Sequence, residues 1–153
     1  TAENAPKLKD AKVVSLINVL EHINNPAEFL GAIAGGLQKG TFVVFEVPRH
    51  PSLSSFVNLA FPNLPYRHIC PPDHMHIFTE KSIEIMLNGA GIKAVSIWEF
   101  GQDAPDLVIS AANNAELEES DFIDQMVTLA NEMQKVVDEK SLSDVIFMVA
   151  EKK

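Results

Sequence analysis

Cysteine occurs once, as Cys70, and basic residues are few, 12 Lys and Arg against 21 Asp and Glu, for a formal net charge of -9. A single cysteine excludes an intrachain disulfide framework and any multi-cysteine metal centre, and it fits a reducing, cytoplasmic setting. The acidic balance argues against nucleic acid or an anionic membrane as a partner held by bulk electrostatics, and favours a small neutral or cationic substrate. No stretch reaches the roughly 18 consecutive apolar residues of a membrane-spanning helix, and the first residues are not expected to be a signal peptide. The sequence also lacks a G-x-G-x-x-G turn, the usual phosphate and ribose cradle of doubly wound nucleotide-binding sheets. It starts at Thr1 without an initiator methionine, a beginning expected of a processed or engineered fragment.

What is present is enough apolar residue, 46% of 153, to build one sizeable core. A single α/β domain over residues 12–153, behind a polar lead-in at 1–11 that contains Pro6, is the expectation. The strongest local signal is KVVSLINVLEHI, Lys12 to Ile23. Its unbroken apolar run predicts a strand over Lys12–Leu20 buried on both faces, as in a parallel sheet. Asn18, Glu21 and His22 then fall at its carboxyl end, where open α/β sheets bind ligands.

The rest of the chain follows in alternating units. Asn25 as cap, Pro26 at the first helical position and Glu28 behind it open a helix over 26–38, with Phe29, Leu30, Ile33 and Leu37 on one face and Gly40 past its end. Thr41–Val47, TFVVFEV, is a second strand closed by Pro48. A helix-length crossover between two such strands implies parallel pairing with a right-handed connection. A short helix over Ser52–Ala60 ends before Pro62 and Pro65. The loop Tyr66–Phe78 holds His68, His74 and His76, after which Thr79 caps a helix through Ala90, with Ile83, Met86, Leu87 and Ala90 inward and Gly91 ending it. Ile92–Phe100 alternates like a strand, with Trp98 expected in the core, and Pro105 marks a short helix within 102–114. Residues 116–139 form a longer helix with a stripe of Phe122, Met126, Leu129, Met133 and Val137, its acidic start at Glu116, Glu118, Glu119, Asp121 and Asp124 suiting the helix dipole. Asp144–Ala150, DVIFMVA, is the last strand.

VVSLINVLEHINNPAEFL, KGTFVVFEVP, PPDHMHIFTEKSIEIMLNGAG and the closing IWEF, in this order, resemble the second half of class I S-adenosylmethionine-dependent methyltransferases, close to the type 11/23 group with its VLEH signature. The resemblance implies a partial Rossmann-like sheet whose strands correspond to that fold's fourth, fifth, seventh and sixth, the last strand inserted antiparallel, with helices on both faces and a helical insertion near 102–142. It implies S-adenosylmethionine as cofactor and transfer of a methyl group to the oxygen or nitrogen of a small molecule. The family's cofactor grip lies in its first half, which these residues do not include, so this chain alone is expected to hold the cofactor poorly and to be inactive. The strand that would flank Lys12–Leu20 is missing as well, leaving an apolar edge ready to pair with a second copy or a complementing N-terminal half. A non-catalytic association module working through that edge is the alternative.

Within this frame His22 and Glu21 are the candidate catalytic residues, because a histidine near neutral pKa can take the proton of an acceptor hydroxyl or amine. Asn18 is the candidate cofactor contact, and Glu46, His74 and His76 the candidate substrate contacts. Glu21, His22 and His74 or His76 also have the chemistry of a borderline-metal site. They are similar there to ubiquinone-pathway and small-RNA 2'-O-methyltransferases with E-x-x-E-H. Asn18 stands where those carry the first carboxylate, so no metal is expected. Plain structural roles stay open beside these: capping for Glu21, His22 and Glu46, loop ordering for His74 and His76.

Overall fold

The computed structural model describes residues 8–64, 66–117 and 120–153. The first part of the lead-in, Pro65, and Glu118 and Glu119 of the acidic run lie outside the described residues. Four strands, β1 (Val13–Ile17), β2 (Phe42–Pro48), β3 (Ile92–Phe100) and β4 (Val145–Lys152), form one sheet in the order β1-β2-β4-β3. β1 and β2 are parallel, and β4 runs antiparallel to both β2 and β3. This is the order and the reversed last strand that the family resemblance implies.

Local chemistry accounts for the helices. In α1 (Pro26–Gly35) the Asn25 side chain accepts the Glu28 N–H, and Pro26 occupies the first turn, where a missing N–H costs nothing. α2 (Leu53–Ala60) and α3 (Glu80–Ala90) both open with reciprocal capping boxes, Ser52 with Ser55 and Thr79 with Ser82. α3 stops at Gly91, whose φ of 65° is the left-handed conformation a helix end uses and a glycine adopts freely. α4 (Asp103–Asn114) and α5 (Asp121–Glu139) pack on each other, α4 also against α2 and α5 against β3.

The core lies on one side of the sheet. Val14 and Leu16 of β1, Val43, Phe45 and Val47 of β2, and Ile146, Met148 and Ala150 of β4 meet Leu30, Ile33 and Ala34 of α1 and Ile83, Met86 and Leu87 of α3. The opposite face is different. Ile17, Glu46, Phe147 and Trp98 form one row across it by register, and Val13 is 57% exposed, Ile17 38%, Phe42 38% and Trp98 64%. β1 is therefore not buried on both faces: its side chains alternate between the α1/α3 layer and the open side, and only β2 pairs with it among the described residues. Trp98 is likewise not core but lies on this open face, against Phe100 and Phe147. The stripe expected to bury α5 is also displaced. Phe122, Leu129 and Met133 are exposed, while Ala130, Gln134 and Val137 are buried, because α5 meets its neighbours through small and hydrogen-bonding residues.

Gln134 shows why. Its amide donates to Asp103 and Asp138 and accepts the Ala104 N–H, which fixes α5 to the first turn of α4. Asp103 in turn accepts the backbone N–H groups of Ser54 and Asp144. Asp144, fully buried at the head of β4, receives Arg67, His68 and the Ser54 hydroxyl. Burial works against ionising Asp144, yet the His68 hydrogen bond and the Arg67 guanidinium outweigh it and hold the carboxyl below its usual value. Burial and the Asp144 charge push Asp103 up instead, and burial raises Asp106, which Arg67 also meets at 2.9 Å. Gly101 passes so close that a Cβ there would collide with the Asp144 carboxylate and stand 2.6 Å from Asp103 Oδ2. Arg49, also buried, donates to the carbonyls of Ser141 and Ser143 and to Glu80, tying the end of β2 to the turn before β4 and to the start of α3.

Two outcomes follow from this packing. Phe45→Ala empties a fully buried position and should cost about 3–5 kcal/mol in denaturant unfolding, whereas Trp98→Ala on the open face should cost less than about 1 kcal/mol. Tyr66 is the sole tyrosine. Burial, together with the nearby carboxylates of Asp144 and Asp103, raises its hydroxyl from 10.0 to about 12. The fold favours the neutral phenol, so the stability this supplies is fully present below pH 10 and lost as pH rises through about 12. Absorbance titration near the phenolate band should therefore show ionisation at about 12 in the native chain and near 10 in denaturant.

Candidate functional site

The site lies at the carboxyl ends of the parallel strands, where the backbone leaves the sheet. β1 ends at Ile17, and Asn18 follows with φ 52°, a left-handed turn that asparagine tolerates better than most residues. The turn redirects the chain into one turn of 3-10 helix, Leu20–His22, with Leu20 and Glu21 buried and His22 half open. The loop after α2 then folds back over this edge. It is pinned by Met75 N–H donating to the Glu21 carbonyl, and by Phe78 N–H and His50 N–H exchanging bonds with Pro48 and Phe78 carbonyls beyond β2.

That return brings distant residues together. A crevice of about 550 Å³ is lined by Asn18, His22, Glu46 and His74, with Arg67, His68 and Phe100 in its walls. Glu46 projects from β2 on the open side of the sheet, in register with Ile17 and Phe147. His22 and His74 meet edge to face with ring centroids 4.6 Å apart. The Nδ1–H of His22 donates to the Asp73 carbonyl at 2.7 Å, which leaves the Nε2 lone pair free, 4.0 Å from Glu21 Oε1. Glu21 is 2% exposed, and its Oε2 has no hydrogen-bond partner. Burial, then the adjacent His22, push His74 below the usual histidine value, so its imidazole is neutral at neutral pH. His76 stands apart, against the Phe78 ring at 6.2 Å.

Arg67 and His68 were not among the residues singled out by sequence. His68 is buried and stacks near-parallel to His74 with centroids 6.3 Å apart, while its Nε2–H donates to Asp144 at 2.9 Å. Its partner lies 76 positions away. The only local trace of that pair is a lone carboxylate at the head of an otherwise apolar strand.

Chemically the arrangement can take a proton at His22 Nε2, hold a polar group at Glu46 or Asn18, or accept a cation between Glu21, His22 and His74, whose ligand atoms lie within 4.8 Å of one another. The left-handed glycines, Gly40 and Gly91, lie at the other end of the strands from the crevice, beside Glu151 and Lys152. Neither frames a turn at the crevice.

No curated protein matches the chain in sequence. Among solved structures, an S-adenosylmethionine-dependent methyltransferase from Archaeoglobus fulgidus shares 18% identity at a TM-score of 0.54, covering 99% of this chain and 65% of that one. The YcgJ protein of Bacillus subtilis shares 12% identity at a TM-score of 0.52, covering 100% and 69%. The 4+2-cyclase SpnF shares 12% identity at a TM-score of 0.51, covering 94% and 50%. These likenesses establish the fold, and the chain spans only half of the cyclase and about two thirds of the Archaeoglobus enzyme. That a cyclase stands among them means the fold by itself does not fix the reaction. The family match supports S-adenosylmethionine as cofactor. The methyltransferase domain family matches residues 2–97, which is well over half of the chain, and the protein belongs to that family.

Proposed function

We propose that the chain is the acceptor-side half of an S-adenosylmethionine-dependent methyltransferase that methylates an oxygen or nitrogen of a small molecule. The observation that carries this reading is the convergence of Asn18, Glu21, His22, Glu46 and His74 on one strand edge from positions spread over 57 residues. The cofactor, when bound, supplies an electrophilic methyl group. The chain's own part is to orient the acceptor and take its proton.

His22 suits that task because it lines the crevice and its Nδ1–H is already committed to the Asp73 carbonyl, so Nε2 carries the lone pair left to take a proton. Glu21, buried beside it, stabilises the imidazolium that results. Glu46 and His74 border the same space and offer an acceptor group and a neutral imidazole to a polar acceptor. Asn18, at the mouth of the crevice, is the cofactor contact. The acidic balance of the chain favours a neutral or cationic acceptor over nucleic acid or a membrane surface. Among the described residues no helix is long and apolar enough to cross a membrane.

With one wall of the cofactor site in the chain, binding by this chain alone is weak and turnover is absent. The free edge of β1 supplies the route to completion, by pairing with a second copy or with an N-terminal half that carries the glycine-rich turn. Titration with S-adenosylhomocysteine, followed by amide NMR, should shift Asn18–His22 without saturating at micromolar ligand; no shift there would overturn the assignment. In light scattering the chain should exceed monomer mass, with slow amide exchange along Val13–Ile17. A monodisperse monomer whose β1 amides exchange fast would sink the pairing and leave the crevice assignment standing.

A further inference from the structure

Glu21 is a buried carboxyl with few partners among the described residues. Its side chain is 98% removed from solvent, Oε2 has no hydrogen-bond partner, and its sole ion-pair neighbour is His22 at 4.0 Å. A buried carboxylate without a cation or a full set of donors is costly. Two imidazoles, those of His22 and His74, stand beside it. His22 has given its Nδ1–H to the Asp73 carbonyl, so Nε2, the nitrogen nearer Glu21, carries no proton in the neutral ring. His74 presents a buried Nδ1 with no hydrogen-bond partner. One ligand atom from each of the three side chains falls within 4.8 Å of the others.

We propose that Glu21, His22 and His74 bind a divalent transition-metal cation through one carboxylate and two imidazoles. The bond from His22 Nδ1–H to a backbone carbonyl is the outer-shell arrangement that fixes the tautomer and orientation of a metal-binding histidine. The site is held before any ion arrives, because Met75 N–H bonds to the Glu21 carbonyl and so locks the His74 loop onto the 3-10 turn. Nitrogen and carboxylate together select Zn²⁺, Mn²⁺, Fe²⁺ or Co²⁺ over Ca²⁺ and Mg²⁺, which prefer oxygen. Three protein ligands leave coordination positions free, and the half-open His22 and His74 place them toward the crevice shared with Asn18 and Glu46. In this proposal His74, from the later loop, is the third ligand, so the set does not need the carboxylate that Asn18 lacks.

Binding of the cation does not depend on the transferase reading, but its use does. With an ion held by Glu21, His22 and His74, the His22 lone pair would be occupied, and the ion would supply Lewis acidity that lets an acceptor hydroxyl lose its proton to water instead of to His22.

The test uses the tag-free chain stripped with EDTA. Co²⁺ titration followed by visible absorbance, with Zn²⁺ competition by calorimetry, should give one site per chain. His22→Ala and His74→Ala should each weaken it by at least about tenfold, and His76→Ala should leave it unchanged. Absence of a stoichiometric site, or binding unaltered in His22→Ala and His74→Ala, overturns the proposal. Should either variant lose its far-UV dichroism, the unmodified chain decides: Zn²⁺ should shift the imidazole resonances of His22 and His74 and leave those of His50 in place, and shifts confined to other histidines overturn it. The S-adenosylhomocysteine titration is run in metal-free buffer, so each reading can fail without the other.

Discussion

Asp144 carries a negative charge into a place where it has no solvent, and much of the molecule is arranged to meet it. The charge is answered by His68, Arg67 and the Ser54 hydroxyl, and the same residue's N–H is answered by Asp103. Four segments distant in sequence are thereby joined at the point where β4 enters the sheet. That entry point matters because β4 is inserted antiparallel between β2 and β3, so its start sets the register on both sides. Truncating Asp144 alone would leave Arg67 and His68 facing a vacated site, a change that is costly even where the whole network could be replaced by apolar residues at little loss. The clamp also places Arg67 and His68 in the wall of the crevice, so stability and site geometry rest on one carboxylate.

Where residues report on their own turn, the sequence was legible. Asn25 with Pro26 and Glu28, Thr79 with Ser82, and Gly91 each act on neighbours within four positions, and the structure shows them doing so. The strand order was legible for a different reason: a helical crossover dictates parallel pairing of β1 and β2, and the family resemblance supplied the reversed last strand. Periodicity did less well, since it shows that a segment has an apolar face without saying what will cover it. Trp98, Phe122 and Leu129 all fit a core stripe, yet they are exposed, while Gln134 is buried because it satisfies Asp103, Asp138 and Ala104 N–H together.

The site divides along the same line. Asn18, Glu21 and His22 could be singled out from their place after an apolar strand, and His74 from a histidine-rich loop that must return over the same edge. The pairing of His22 with His74, and the separation of His76 from both, depends on how residues 66–78 fold back over His22, which lies 51 positions before Asp73. His68 with Asp144 is further still from any local pattern. Burial, which turns an ordinary loop histidine into a held one, is a property of the assembled chain.

The open side of the sheet and the crevice are not separate features. Ile17, Glu46, Phe147 and Trp98 lie in one row, and Glu46 in that row also lines the crevice, as do Asn18 next to Ile17 and Phe100 two residues beyond Trp98. A partner strand added at β1 would extend the sheet beside Asn18, and whatever shielded Val13, Phe42 and Trp98 would wall the crevice from the same direction. Under the proposed function, association and completion of the cofactor site are therefore one event. Apolar burial on the open face would supply the free energy for both, and by mass action the apparent cofactor affinity would rise with the concentration of the partner rather than being fixed by Asn18 and its neighbours alone.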